Sequence, residues 1–165
     1  MIIKNLSKNF FINLSFILLI FLFDRISKIY VIYLDNKLLG SEIFSSNFLN
    51  INLIWNEGIA FGLFSFNDKI FYNILTIIII IIILIIFFMI IKSDGFKKYS
   101  LLMILGGALG NVFDRIYYKA VPDFIDFHVG NFHWFIFNLA DIFITLGVFF
   151  MIIFEFIDKN EEKKL

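Results

Sequence analysis

Three aspartates in this chain, Asp123, Asp126 and Asp141, lie in or just before the last apolar segment. Asp126 and Asp141 have neither Lys nor Arg three or four residues away, and Asp123 has only Lys119, four residues before it. Asp141 also stands inside an apolar run, Trp134–Ile157. A charge in hydrocarbon costs about 2.5–3.5 kcal/mol on insertion scales, so one kept there by default marks function. A carboxylate that lacks a cation and meets a second carboxylate must share a proton with it. The pair then divides into an ionised base and a neutral acid. That is the chemistry that activates water against a peptide carbonyl. An acid pair drawn from these three is the leading catalytic candidate. A solvated Asp123 and a helix-capping Asp141 form the plainer alternative.

Two further acids differ in their neighbours. Asp24 has Lys28 at i+4, the favourable order for a helical ion pair, and Asp114 adjoins Arg115. The chain has two arginines, and each directly follows an aspartate, at Asp24-Arg25 and Asp114-Arg115. A structural or positioning role is expected for Asp24 and Asp114. Other chemistries fit less well. Ser27 and Lys28 are adjacent, so on a helix they do not face each other. His128 and His133, with Asp123 or Asp126, match no zinc helix motif. There is no cysteine, which excludes disulfides and a thiol nucleophile. Gly106-Gly107-Ala108-Leu109-Gly110 reads as a close helix contact, not a nucleotide loop.

The elements that must position these groups are membrane helices. The chain has 165 residues, 61% of them hydrophobic, with zero formal net charge and a mean hydropathy of +0.92. This excludes an ordinary soluble domain and gives no bulk attraction to nucleic acid. Four segments are long enough to span a bilayer: 10–33, 70–91, 100–118 and 134–157. Lys4 and Lys8 precede the first, but Asp24-Arg25 follows where a cleavage site would stand, so it reads as a retained span. Eight lysines flank one side (Lys4, Lys8, Lys92, Lys97, Lys98, Lys159, Lys163 and Lys164), against Lys37, Lys69 and Lys119 on the other. The positive-inside rule then puts both termini in the cytoplasm and the loops 34–69 and 119–133 outside. Residues 158–165 read as a charged, solvated tail. In Phe48–Asn56, apolar Leu49, Ile51, Leu53 and Trp55 alternate with mostly Asn. Val121–Phe127 and Phe132–Phe137 flank a turn at Val129-Gly130-Asn131. The expected architecture is one domain of four transmembrane helices with a small extracytoplasmic sheet.

Helix rise then sets depth. At 1.5 Å per residue across a ~30 Å core, Asp24, Asp114 and Asp141 fall roughly 9, 9 and 10 Å below the outer edge. Three spans thus offer an acid to one layer. A proton-linked transporter or channel subunit is the rival from another class. Such a relay needs polar groups across the full thickness, and Ile77–Ile91 has none.

Five blocks along the chain carry a resemblance. They are Asp24-Arg25-Ile26-Ser27-Lys28, Asn56-Glu57-Gly58-Ile59-Ala60-Phe61-Gly62, residues 106–115 ending Asn111-Val112-Phe113-Asp114-Arg115, Val121-Pro122-Asp123-Phe124-Ile125-Asp126-Phe127, and Phe137-Asn138-Leu139-Ala140-Asp141. In this order, on four spans, the chain resembles the lipoprotein (type II) signal peptidases of bacterial inner membranes. The resemblance implies an aspartic endopeptidase without metal or cofactor. Its substrates would be diacylglyceryl-modified prolipoproteins, cut before the lipidated cysteine at the extracytoplasmic face. Membrane lipid would be its other partner, with no nucleic acid and no obligate protein partner. The family's catalytic pair falls on Asp123 and Asp141, and Asp126 is outside it. Asp24, Asn56, Asn111, Arg115 and Asn138 match positions that order the site or substrate. Lys28, Gly58 and Asp114 match supporting positions. Pro122 replaces the family's branched aliphatic and, lacking an N–H, suits an edge strand or loop. An aromatic outer loop around Trp55, Phe61 and Phe64 is expected to act as a lid or as an interfacial belt.

Overall fold

The computed structural model describes the backbone of residues 2–58 and 69–162, and the side chains of residues 9–58 and 72–157. Phe61, Phe64 and the block Ile59-Ala60-Phe61-Gly62 lie outside the described residues. Among the described residues there are four helices: α1 (Ile2–Lys37), α2 (Lys69–Lys92), α3 (Gly95–Tyr117) and α4 (Leu139–Glu162). Between them lie β1 (Phe44–Ser45), β2 (Leu49–Asn56), β3 (Val121–Val129) and β4 (Phe132–Phe137). The strands form one antiparallel sheet in the order β1-β2-β3-β4.

Three helical stretches are long and apolar enough to cross a membrane: Asn9–Lys37, Tyr72–Lys92 and Leu139–Ile157. α3 is the fourth long helix, and its polar last third lowers its hydropathy. It is also the most buried. Leu101, Leu102, Ile104, Leu105 and Val112 fill the core against Ile83, Ile86 and Ile90 of α2. α3 packs on α1, α2 and α4 together. α2 points most of its isoleucines outward, as a lipid-facing helix does.

The glycines of α3 set how closely the helices approach. A Cβ on Gly107 would sit 2.6 Å from the backbone oxygen of Ala140 in α4. One on Gly110 would sit 2.5 Å from an Asp24 carboxylate oxygen. Small residues at helix contacts permit such approaches in membranes. Gly107→Ala is therefore expected to lower stability by about 1–3 kcal/mol, because the clash is with backbone that must move. A thermal unfolding series in detergent checks this; an unchanged midpoint would refute the close α3–α4 contact.

The apolar run 134–157 does not form a single element. Its first four residues belong to β4, and the helix begins at Leu139. Trp134–Phe137 is aromatic and apolar on both faces, and such a run reads equally as strand or span. Asn138 ends the ambiguity by capping α4. The loop expected at 119–133 accordingly extends to the cap. The β3–β4 hairpin turns at Gly130, whose φ of +59° needs no Cβ. Pro122 is not on an edge strand, since β3 lies between β2 and β4. Its register partner is Trp55 of β2, while pairing with β4 starts only at Ile125. Pro122 therefore has no strand on its β4 side, and its missing N–H costs no pairing there. β2 is a strand as its alternation implies, but a register shift between Ile51 and Ile54 breaks the pattern and leaves Ile54 and Trp55 both exposed.

Candidate active site

β3 carries Asp123 to the helices. It lies opposite Ile54 of β2, so Asn56, two residues on, is its diagonal neighbour. Asn56 donates from Nδ2 to Asp123 Oδ2 at 2.9 Å. Asn138 donates from Nδ2 to Asp123 Oδ1 at 2.6 Å. Each amide is held in that orientation by a donor on its own oxygen. The Gly58 N–H donates to Asn56 Oδ1 at 2.9 Å. The Asp141 N–H donates to Asn138 Oδ1 at 3.2 Å.

That last bond is one half of a capping box. Asn138 is the N-cap of α4, and Asp141, three residues on, returns a side-chain bond by accepting the Asn138 N–H on Oδ2 at 3.1 Å. Asp141 does cap its helix, and it also faces Asp123 through the shared Asn138. Asn111 of α3 donates from Nδ2 to Asp141 Oδ1 at 2.8 Å. Both oxygens of both carboxylates therefore accept an N–H donor.

Asp123 is only 4% exposed. Burial, and then the charge of Asp141, push its carboxyl up to about 6, against the opposing pull of Asn138, Asn56 and Lys28. A carboxyl raised by a neighbouring carboxylate is the signature of a proton-sharing pair.

Behind this pair lies a buried ionic cluster. Lys28, fully buried, donates to Asp24 at 2.9 Å, to Asp114 at 2.7 Å and to Asn111 Oδ1 at 2.8 Å. Arg25 bridges Asp24 at 3.1 Å and Asp114 at 2.6 Å. Asp24 Oδ1 also accepts the Ala140 N–H at 3.1 Å, which ties α1 to the first turn of α4. Asp24 and Asp114 meet on Lys28, which reaches Asp141 through Asn111. Because α4 begins at Leu139, Asp141 stands in its first turn and not seven helical residues below Trp134, as a continuous span would place it.

The arginines divide differently from their sequence neighbours. Arg115 does not serve Asp114. Its Nη2 donates to Gly58 O at 3.0 Å, and its guanidinium lies over the Tyr72 ring at 5.5 Å. Its Nε and Nη1 are buried without a hydrogen-bond partner. Arg25, which the residue spacing gave no reason to single out, is the arginine that pairs with Asp114, beside Lys28. The signal was present in the matched Asp-Arg doublets but could not say which arginine turned inward. Asp126 is separated from the pair, as it binds His133 Nδ1 at 2.8 Å on the β3–β4 hairpin. Trp55 packs on Tyr118 at 5.2 Å between centroids.

An apolar groove of about 520 Å³ opens beside Asp141, walled by Phe127, Trp134, Phe137, Ile142 and Leu146. Among the described residues that line it, Asp141 is the one that is ionisable. The arrangement offers a hydrogen-bonded carboxylate pair, Asp123 buried and Asp141 partly so, at the end of an apolar trough.

Comparison with known proteins gives a consistent result. Residues 16–157 match the family model described as signal peptidase (SPase) II. A lipoprotein signal peptidase of Pelagibacter ubique (strain HTCC1062) is 51% identical over 155 residues, covering 94% of this chain and 93% of that protein. One from Anaplasma phagocytophilum (strain HZ) is 38% identical over 127 residues, covering 76% of this chain and 79% of that protein. A solved bacterial membrane enzyme, determined in meso at 2.3 Å, superposes with a TM-score of 0.71 at 31% identity, covering 93% of this chain and 92% of that one.

Proposed function

Because the chain belongs to the signal peptidase II family, we propose that it is a membrane aspartic endopeptidase removing signal peptides from prolipoproteins, with Asp123 and Asp141 as its catalytic pair. The observation that carries the pair is Asn138, one buried side chain bonded to Asp123 and, through its own cap, to Asp141. One aspartate takes a proton from water as the oxygen attacks the scissile carbonyl. The other, protonated, donates to the carbonyl oxygen. When the C–N bond breaks, the first returns its proton to the leaving amine and the second regains one from the intermediate's hydroxyl. Protons balance over the cycle, and no metal or cofactor is called for by the donor set.

Asn56, Asn111 and Asn138 orient the two carboxylates. Asp24, Lys28 and Asp114 brace α1, α3 and α4 around them. Arg115 and Gly58 anchor the strand end that carries Asn56. The substrates are prolipoproteins bearing a diacylglyceryl group on the cysteine after the cut. The apolar groove beside Asp141 suits a substrate presented from the bilayer, where tethering supplies proximity. The whole chain acts as one peptidase domain. α1 to α4 all cross the bacterial inner membrane, both termini lie in the cytoplasm, and the sheet and dyad lie at the extracytoplasmic face. The lysine distribution supports this orientation, and the 23 residues of α3 are long enough to cross. The transporter alternative has no support, since in the first half of α3 the buried side chains are Leu101, Leu102, Ile104 and Leu105, with Ser100 the one polar side chain among them.

A cleavage assay in proteoliposomes tests the proposal. Diacylglyceryl-modified precursor should be cut before the modified cysteine, and the same precursor without the lipid should not. Cleavage of the unlipidated form alone would overturn the substrate assignment. Cleavage of neither would overturn the activity.

A further inference from the structure

The two carboxylates are held by equal numbers of donors, yet what stands behind those donors differs. Behind Asn56, which serves Asp123, is a neutral backbone N–H, that of Gly58. Behind Asn111, which serves Asp141, is the Lys28 ammonium at 2.8 Å. An ammonium has three donors and no acceptor. Lys28 gives two to Asp24 and Asp114, and the third goes to Asn111. The amide of Asn111 therefore cannot flip. Turning it would set NH2 against NH3+ and an oxygen against Asp141. Asp141 also lies in the first turn of α4, where the helix dipole favours negative charge, and Asp123 on β3 has no such field.

We propose that Lys28 is a positioning residue for catalysis, locking Asn111 so that Asp141 is the charged member of the dyad and Asp123 holds the shared proton. This rests on the protease reading above. It assigns Asp141 as the base that takes the proton from water and Asp123 as the acid facing the carbonyl. The groups facing Asp141 among the described residues are Asp24 and Lys28 from α1 with Arg25 behind them, Asn111 from α3 with Asp114 behind it, Asp123 from β3, and Asn138 at its own helix start. Lys28 is the cation among them in contact with Asn111. That the Asp123 carboxyl is pushed up to about 6 agrees with its carrying the proton.

Lys28→Met combined with Asp114→Asn removes one positive and one negative charge, leaving the Asp24–Arg25 pair intact. The pH profile of kcat on lipidated precursor is the readout, since a purely structural role would not move it. The acid limb, where Asp141 becomes protonated, should rise by about one pH unit, with kcat down about tenfold at the acid side. Asp114→Asn alone keeps Lys28 and should leave that limb at or below its wild-type position. A folded double variant with the wild-type limb overturns the proposal. Should the double variant not fold, the 13C carboxyl resonances of the wild-type enzyme decide. Between the two limbs Asp141 should report a carboxylate and Asp123 an acid, and the reverse overturns the assignment. If the wild type cleaves no precursor, the protease reading falls, while the resonances still test the charge assignment.

Discussion

Asp123→Asn and Asp141→Asn, made separately, are each expected to lower kcat by at least about 10³-fold while the protein stays folded. An amide can neither take a proton from water nor give one to the carbonyl oxygen. It also accepts at one atom where the carboxylate accepts at two. Asp123→Asn would turn an NH2 toward either Asn56 or Asn138, each of which already presents a donor. Asp141→Asn would do the same against Asn111 or the Asn138 N–H. Some stability is lost in both, so turnover must be read beside a thermal midpoint. Near-normal turnover by either folded variant would remove that residue from the pair.

The same substitution carries a pH signature. The Asp123 carboxyl is raised to about 6 by burial and by Asp141, from an unfolded value of about 3.9. The native state thus holds this proton more tightly than the unfolded chain does. The stabilisation is fully present below about pH 4 and is lost as pH rises through about 6. Over that window the difference amounts to about 2–3 kcal/mol. The thermal midpoint of the wild type should fall between pH 4 and 6 by more than that of Asp123→Asn, and equal slopes would contradict the raised carboxyl. In kcat/KM, which reports the free enzyme, the alkaline limb should begin near pH 6, as Asp123 loses the dyad's proton.

The second large effect is structural. Asp24→Ala should destabilise the protein by about 3–5 kcal/mol, because it strands buried charge. Asp24 accepts from Lys28 and Arg25 and caps the Ala140 N–H. Its removal leaves two cations facing Asp114 alone, and an N–H of α4 without an acceptor. Asp24→Asn keeps an acceptor for Ala140 and should cost less. Chemical or thermal unfolding in a fixed detergent separates the two, and equal midpoints for Asp24→Ala and wild type would show that the cluster is not a brace. Breaking one member of such a cluster is costly where removing a balanced pair is not.

Much of this protein was legible in its residues. Apolar length sets the helices, since a backbone in lipid must satisfy its own hydrogen bonds. Helix rise sets Asp24 and Asp114 at matching depths in their spans, and the absence of Lys or Arg three or four residues away marks Asp126 and Asp141. The alternation at Leu49–Asn56 and the glycine turn at Gly130 mark strands. All of these are local or periodic, so spacing alone carries them. What spacing cannot carry is which side chains converge across helices. It left Trp134–Phe137 inside a span because an apolar aromatic run has no period that separates strand from helix. It left Asp126 level with Asp123 and Asp141 until the hairpin register gave it His133. It could not say that Arg25, not Arg115, joins Lys28 in pairing with Asp114. Nor could it find that Asn138 caps a helix with its oxygen while binding Asp123 with its nitrogen. Those outcomes depend on contacts between residues as far apart as Lys28 and Asp114. Only the packing of α1, α3 and α4, brought close by Gly107 and Gly110, decides them.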